Sequence, residues 1–265
     1  MRLDLALVER GLARSRSHAQ DLIRRGWVTV DGALASKAAL PVAENTDIAA
    51  RADHYVSRGA HKLLAALDAT GLPVPQRCLD AGASTGGFTQ VLLERGAERV
   101  YAVDVGHGQL ASLIRDDPRV TVWEHTHLRD LTLDHTDGRP VGLVVADVSF
   151  ISLRLILVPL LGVLEPEGRA ILLVKPQFEV GRGGLDDHGV VTDPLRREQA
   201  VDGIVDAAHD LGWATSARLV SPVPGENGNV ETVIVLAPDD RAGAVRAEAG
   251  VVAPDDRRFG SVRHG

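Results

Sequence analysis

A chain of 265 residues has room for one catalytic domain and a small companion. With 45% hydrophobic and 25% charged residues it has a globular composition, and no apolar run approaches the ~18 residues that a membrane helix needs. The start MRLDLALVER, charged from its second residue, does not read as a secretory signal, and a single cysteine, Cys78, excludes an internal disulfide framework. Membrane and secreted classes drop out, and a cytoplasmic location is expected.

The net charge of −7 is unevenly spread. Residues 1–40 hold seven basic side chains (Arg2, Arg10, Arg14, Arg16, Arg24, Arg25, Lys37) against four acids (Asp4, Glu9, Asp21, Asp31), a balance of +3 that leaves −10 for the other 225 residues. A basic head on an acidic body suits a polyanionic partner. Of the 29 basic residues only Lys37, Lys62 and Lys175 are lysine. In so arginine-rich a chain a lysine stands out, because it can lose its proton or sit as a compact charge where guanidinium stays charged and planar.

In chain order, Leu3–Gly11 places Leu3, Leu7 and Val8 on one helical face. Ser15–Gly26 is a second helix, capped by Ser15 and burying Ala19, Leu22 and Ile23. WVTVDGALASK follows, with Asp31-Gly32 marking a hairpin. With Ser15 as cap, Arg14 lies outside the helix, so Arg14 and Arg16 can reach one phosphate-lined surface. The pattern LxxxLVxRGLARSRxxAxxLIxxGxVxVDG resembles the S4 RNA-binding domain over roughly residues 2–50. Arg2, Arg14, Arg16 and Lys37 are the expected RNA contacts. Residues 45–57 read as a strand end and a linker, and Arg58–Leu72 as a helix stopped by Pro73 and Pro75.

Beyond that point strands alternate with helices: RCLDA, RVYAVDV, RVTVWE, VGLVVADV and GRAILLVKP are strands, and the largest helical segments are Phe88–Arg95, Ser152–Leu164 and Pro194–Leu211. Alternation of this kind predicts an α/β fold, a Rossmann-like sheet with crossover helices beside the small N-terminal α+β domain. WATSARLVSPV and NVETVIVL pair as a terminal hairpin. The expected boundaries are a head over 1–52, a linker over 53–57, a catalytic domain over 58–237 and a loosely ordered tail over 238–265.

LDAGASTGGF (Leu79–Phe88) runs from a strand into a helix, where a Gly-rich turn lets backbone approach a ligand. It is neither a dinucleotide fingerprint nor a phosphate loop, since it lacks the glycine spacing of the first and the Lys-Ser/Thr of the second. Asp80 ends this strand and Asp104 ends the next, 24 residues on, where an acid takes a ribose diol. A cationic, phosphate-free nucleoside fits best, which describes S-adenosylmethionine. Asp80, Gly82, Ser84, Gly86, Gly87, Phe88 and Asp104 are the expected cofactor residues.

Lys62 lies in the helix before the first strand, Asp147 ends the fourth strand and Lys175 the fifth, and Glu231 opens the last. Strand C-termini face the ligand crevice, and Glu231 joins them if its strand runs antiparallel. Two lysines and two acids in a partly dry site shift one another's pKa, so that a lysine can activate or orient a ribose hydroxyl. Lys62, Asp147, Lys175 and Glu231 match the K-D-K-E tetrad of FtsJ-like ribose 2′-O-methyltransferases. With the S4-like head, and with SRGAHKL, LDAGASTGGFT, ADVSFISL, LVKPQFEVGR and GNVE, the chain resembles the TlyA (haemolysin A) family over about residues 2–237. The resemblance implies methylation of cytidine 2′-hydroxyls in ribosomal RNA of the small, and in some members the large, subunit; neither cytidine nor the ribosome follows from composition or spacing.

Two departures stand out: Asp53-His54-Tyr55 where the family often has tryptophan, and His127 where asparagine is common. His125, His127 and His135 read as solvated loop, so no metal is expected. Trp123, Phe150 and Phe178 read as core, with Phe150 an alternative substrate wall. The competing classes are an S4-type ribosome-maturation protein without methyl transfer, a pore-forming haemolysin, and a small-molecule methyltransferase. A pore needs an amphipathic or transmembrane element, and none is legible; the basic head disfavours a small substrate.

Overall fold

The computed structural model describes residues 1–51 and 54–239; Ala52, Asp53 and residues 240–265 of the tail expected over 238–265 lie outside the described residues, while Pro238 ends a strand. Backbone packing divides the chain into two units, 1–54 and 55–265.

In the first unit, α1 (Leu3–Glu9) and α2 (Arg16–Arg24) bury Leu3, Ala6 and Leu7 against Ala19, Leu22 and Ile23. Ser15 caps α2, its hydroxyl accepting the His18 N–H. The same core takes Val28 and Ile48 from an antiparallel sheet ordered β2–β1–β3 (β1 Val28–Val30, β2 Ala33–Leu34, β3 Ile48–Ala50). Asp31 and Gly32 both have positive φ (50° and 78°), which a two-residue turn needs to match the twist of β1 and β2. The segment read as a strand end is thus the third strand of this sheet.

The second unit is built on a seven-stranded sheet ordered β6–β5–β4–β7–β8–β10–β9. Its strands are β4 (Arg77–Ala81), β5 (Arg99–Val103), β6 (Val120–Trp123), β7 (Val141–Ala146), β8 (Leu164–Val174), β9 (Trp213–Val220) and β10 (Thr232–Pro238). β4 through β8 are parallel to their neighbours, while β10 runs antiparallel to both β8 and β9, so the terminal pair expected from the sequence does form. Central strands read as continuous apolar runs because both faces are covered. On one face α3 (Gly59–Thr70) and α4 (Gly87–Glu94) pack on Cys78, Val100, Leu143, Ile171 and Val233. On the other, α6 (Leu157–Gly162) and α7 (Pro194–Asp210) pack on Leu79, Tyr101, Val144, Leu172 and Ile234. A four-residue α5 (Ser112–Arg115) lies between β5 and β6.

The expected helix over 152–164 needs correction. It is broken into a 3-10 turn at Leu153–Leu155 and the six-residue α6, and Leu164 belongs to β8. Pro159 is the cause. It lacks the N–H that a helix running through from 152 would require, and is tolerated as the third residue of α6, where that N–H has no intrahelical partner.

The strand order reverses beside β4, whose neighbours are β5 and β7, so the crevice opens at the C-terminal ends of β4 and β7.

Candidate active site

The turn after β4 is shaped by its glycines. Gly82 has φ +83°, and a Cβ there would stand 2.9 Å from the Asp147 carbonyl oxygen, so only glycine lets this turn lie against the end of β7. Gly87 opens α4 against Ser57, where a Cβ would collide with the serine Oγ. Ser84 also lies in the left-handed region (φ 47°) and presents its N–H outward.

That N–H is received by Asp104: Oδ2 accepts from Ser84 N at 2.8 Å and Oδ1 from Gly106 N at 2.7 Å. Asp104 thereby joins the turn to the β5 end and lines a small recess floored by Ala83, Ala102, Leu110 and Val122. Asp80 does not line it. Its side chain is buried beneath the turn, Oδ2 accepts the Thr89 hydroxyl at 2.7 Å, and Oδ1 has no hydrogen-bond partner. Burial pushes its pKa up to about 7 against the pull of the Thr89 hydrogen bonds, with Asp147 and Asp104 adding repulsion. Phe88 is buried at the start of α4 and borders the larger cleft.

That cleft, of about 230 Å³, is lined by Lys62, Asp147, Lys175 and Glu231 together with Gly82, Ala83, Ser84 and Arg58. Four separate elements deliver the tetrad. Lys62 comes from the first turn of α3, Asp147 follows β7, and Lys175 follows β8. Antiparallel register sets Thr232 opposite Val174, which brings Glu231 beside Lys175 at the same edge. Lys62 Nζ donates to Glu231 Oε2 at 2.6 Å and to Asp147 Oδ2 at 3.3 Å. Lys175 Nζ lies 2.6 Å from Asp147 Oδ1, an ion pair without hydrogen-bond alignment, and donates to Ser149 Oγ at 2.9 Å.

The two acids respond in opposite senses. Burial would raise the Asp147 pKa, but the Lys62 and Lys175 ammonium groups together hold it below the usual carboxylate range. Burial dominates at Glu231, which stays above its ordinary value because Lys62 is offset in part by repulsion from Asp147. Asp147 is therefore the charged pivot between two ammonium groups, and Glu231 the partner whose charge costs most to keep.

Two further residues of the site escape a sequence reading. Ser149 meets the Lys175 ammonium, though nothing in ADVSF says which partner its hydroxyl finds. Gly225 lies against the Glu231 carboxylate, where a Cβ would overlap Oε1. Phe150 is corrected from core to surface: it is 88% exposed, in the left-handed region (φ 65°), with its ring 5.4 Å from Phe178. Phe178 and Trp123 are half-buried. His127 is exposed beyond β6, and Tyr55 packs edge-on to His61 at 5.3 Å.

In the first unit, Arg2 and Arg16 converge on the buried Asp4. Lys37 is exposed, one residue from Ala38, whose carbonyl accepts the Asp4 N–H. Arg14 lies outside α2, as its place before the Ser15 cap requires, and its backbone N–H donates to His18 Nδ1 at 3.2 Å. Arg10 donates to the carbonyls of Ala43, Glu44 and Thr46 and so holds a loop. Among the described residues no helix is long and apolar enough to cross a membrane.

Comparison with known proteins agrees with both units. The model of the FtsJ-like methyltransferase family matches residues 55–237, and that of the S4 domain matches residues 1–48. A Mycobacterium tuberculosis protein, 16S/23S rRNA (cytidine-2′-O)-methyltransferase TlyA, is 51% identical over 239 residues, 89% of each chain. Hemolysin A of Brachyspira hyodysenteriae is 37% identical over 87% of this chain and 97% of its own. A solved structure from Streptococcus thermophilus superposes with a TM-score of 0.71 at 35% identity, over 91% of this chain and 89% of that one. Similarity that spans both units at half identity is decisive: the chain belongs to the FtsJ-like methyltransferases, in the TlyA family that joins this fold to an N-terminal S4 domain.

Proposed function

We propose that this methyltransferase transfers a methyl group from S-adenosylmethionine to the ribose 2′-hydroxyl of a cytidine in ribosomal RNA. The observation that carries the reading is the Lys62–Asp147–Lys175–Glu231 cluster, held in one cleft with the glycine turn of a methyltransferase sheet. The M. tuberculosis relative is named for 16S and 23S rRNA, and a Campylobacter jejuni relative, 38% identical over 67% of this chain, for 23S rRNA. The ribose hydroxyl of cytidine is what these names share.

The donor turn fits a cationic nucleoside. Gly82 and Gly87 clear a cradle that a Cβ would fill, and Asp104 stands at the recess where a ribose diol can be held. Asp80 keeps an unpartnered oxygen beneath the turn. No lysine or arginine occupies Gly82–Gly87, so the turn offers nothing to neutralise a phosphate. When bound, S-adenosylmethionine supplies an electrophilic methyl group on a sulfonium centre.

The chain's own residues orient the acceptor. Lys175 Nζ, which donates to the exposed Ser149 hydroxyl, can exchange that partner for a ribose hydroxyl of the same chemistry. Asp147 fixes both ammonium groups, and Glu231 holds Lys62 from the far side, where Lys62 positions the nucleotide. As the oxygen–methyl bond forms, the carbon–sulfur bond breaks, the sulfur leaves as a neutral thioether, and the 2′-hydroxyl proton passes out to solvent along this charged cluster. Alignment of oxygen and methyl carbon provides most of the acceleration, since the leaving sulfur is already activated. Phe150 presents an exposed ring as a wall for the substrate, and Arg2, Arg14, Arg16 and Lys37 meet RNA phosphates.

The test is methyl incorporation from a labelled donor into 16S and 23S rRNA, with the modified position mapped by alkaline resistance of the 2′-O-methylated linkage. Incorporation at a cytidine ribose that is lost in Lys175→Arg is the expected result. Incorporation on a base, or none in either RNA, would overturn the reading.

A further inference from the structure

Asp4 contributes a negative charge to a head that carries +3 over its first 40 residues and is read above as the part that meets RNA. Its side chain is fully buried, yet the two arginine side chains that reach it are 44% (Arg2) and 54% (Arg16) exposed. Arg2 donates from Nε to Oδ1 and from Nη2 to Oδ2, both at 3.0 Å. Arg16 donates from Nε to Oδ2 at 2.8 Å, and Gln20 Nε2 donates to the same oxygen at 3.0 Å. Arg2 precedes α1, whereas Arg16 and Gln20 lie in the first and second turns of α2, so one carboxylate ties the two helices together at their N-terminal ends.

A surface salt bridge does not look like this. An acid placed only to balance charge would sit outside and give up little on losing a partner. Here the hydrogen bonds from Arg2, with those from Arg16 and Gln20, overcome burial and hold Asp4 well below the usual carboxylate range. Each guanidinium has five N–H donors in a rigid plane. Arg2 spends two on Asp4 and Arg16 spends one, which leaves three and four donors that this contact does not use, on side chains about half exposed. The Asp4 N–H donates to the Ala38 carbonyl at 3.0 Å, which ties the backbone next to exposed Lys37 to the start of α1.

We infer that Asp4 is a positioning residue for RNA recognition: it presents Arg2 and Arg16 as one preset pair whose outward edges take adjacent backbone phosphates. The inference rests on the RNA-binding reading of the head and adds to it the acid that makes it work. Long flexible arginines lose rotamer freedom on binding; a pair already held in plane loses less. The partner expected earlier changes accordingly. Arg16 is matched with Arg2 through Asp4, and Arg14 lies outside this network.

The test compares rRNA binding of the full chain at several salt concentrations for Asp4→Asn, Arg16→Gln, Arg2→Gln and the Asp4→Asn/Arg16→Gln pair, with donor affinity as the control. Asp4→Asn is expected to weaken RNA binding roughly tenfold although it removes a negative charge, and Arg16→Gln should add less than threefold on that background. Donor affinity should not move. Tighter RNA binding in Asp4→Asn, or full additivity with Arg16→Gln, would overturn the inference. Arg16→Lys covers the case in which Asp4→Asn fails to fold: it keeps the charge on an exposed side chain but loses the planar fork. A severalfold loss supports positioning, and parent-like binding refutes it. If Arg2→Gln and Arg16→Gln both leave affinity and salt slope unchanged, the head does not grip RNA here and the underlying reading falls as well.

Discussion

Lys175 and Asp80 illustrate how burial assigns different work to ionisable groups, one at the edge of the cleft and one beneath its glycine turn. Lys175 is 8% exposed, with Asp147 on one side and Ser149 on the other, a pair of contacts set for a compact ammonium and not for a planar fork. Lys175→Arg keeps the charge and should lose most methyl transfer, while donor affinity measured by calorimetry changes by less than tenfold, about 1.4 kcal/mol. Near-normal turnover would remove Lys175 from the acceptor site. For Asp80 the prediction concerns pH. Its carboxyl stands at about 7 in the fold and near 3.8 when unfolded, so between those values the folded chain holds a proton that the unfolded chain has released. The Asp80 contribution to stability therefore falls as pH rises from about 4 to about 7 and is flat above, with a span on the order of 4 kcal/mol. Asp80→Asn keeps an acceptor for Thr89 and should make the stability profile shallower in denaturant titrations at pH 4.5, 6 and 7.5, leaving the smaller decline that the raised Glu231 pKa contributes. An unchanged pH profile would mean that Asp80 is charged throughout.

At the scale of elements, the β4–α4 turn is the most constrained piece of backbone. Gly82→Ala would place a Cβ against the Asp147 carbonyl at a φ of +83°, so both sterics and backbone conformation oppose it. A loss of about 1–3 kcal/mol in stability is expected, together with weaker donor binding, because the shift reaches Asp147 directly. Unfolding and calorimetry on the same variant check both. Asp104→Ala acts on the turn's other anchor: it frees the Ser84 and Gly106 amides and removes the carboxylate proposed to hold the donor's ribose, and should weaken donor binding by about 1–3 kcal/mol. Equal affinity in mutant and parent would show that the strand order has been misread as a ligand site.

For the whole molecule, charge divides the labour: the first 40 residues carry +3 and the rest −10. RNA affinity should fall with salt along a log–log slope of about −3 if Arg2, Arg14, Arg16 and Lys37 each neutralise a phosphate. Donor affinity, set in a cleft of the second unit, should hardly respond to the same salt range. A flat RNA profile measured by anisotropy would contradict binding through the basic head.

Much of this was legible before any fold was known, because local chemistry fixes it. Ser15 caps α2 through its own hydroxyl, Asp31-Gly32 permits the turn that β1 and β2 need, and a Gly-rich turn between an apolar strand and a helix has few alternatives. Strand ends were readable from apolar runs, so Asp104, Asp147 and Lys175 could be placed at the crevice. Other features depend on residues far apart in the chain. Glu231 reaches Lys62, 169 positions away, only because β10 inserts antiparallel between β8 and β9. The Ser149 hydroxyl finds its ammonium, and Asp80 sinks below the turn, through packing that no local pattern encodes. Phe150 carries the hydrophobicity of a core residue and stands in solvent because the backbone after β7 turns it out. Asp4 shows the difference most plainly: along the chain it is one acid among four in a basic head, and in three dimensions it is the buried anchor of two arginines, because only the packing of α1 on α2 brings Arg16 and Gln20 to it.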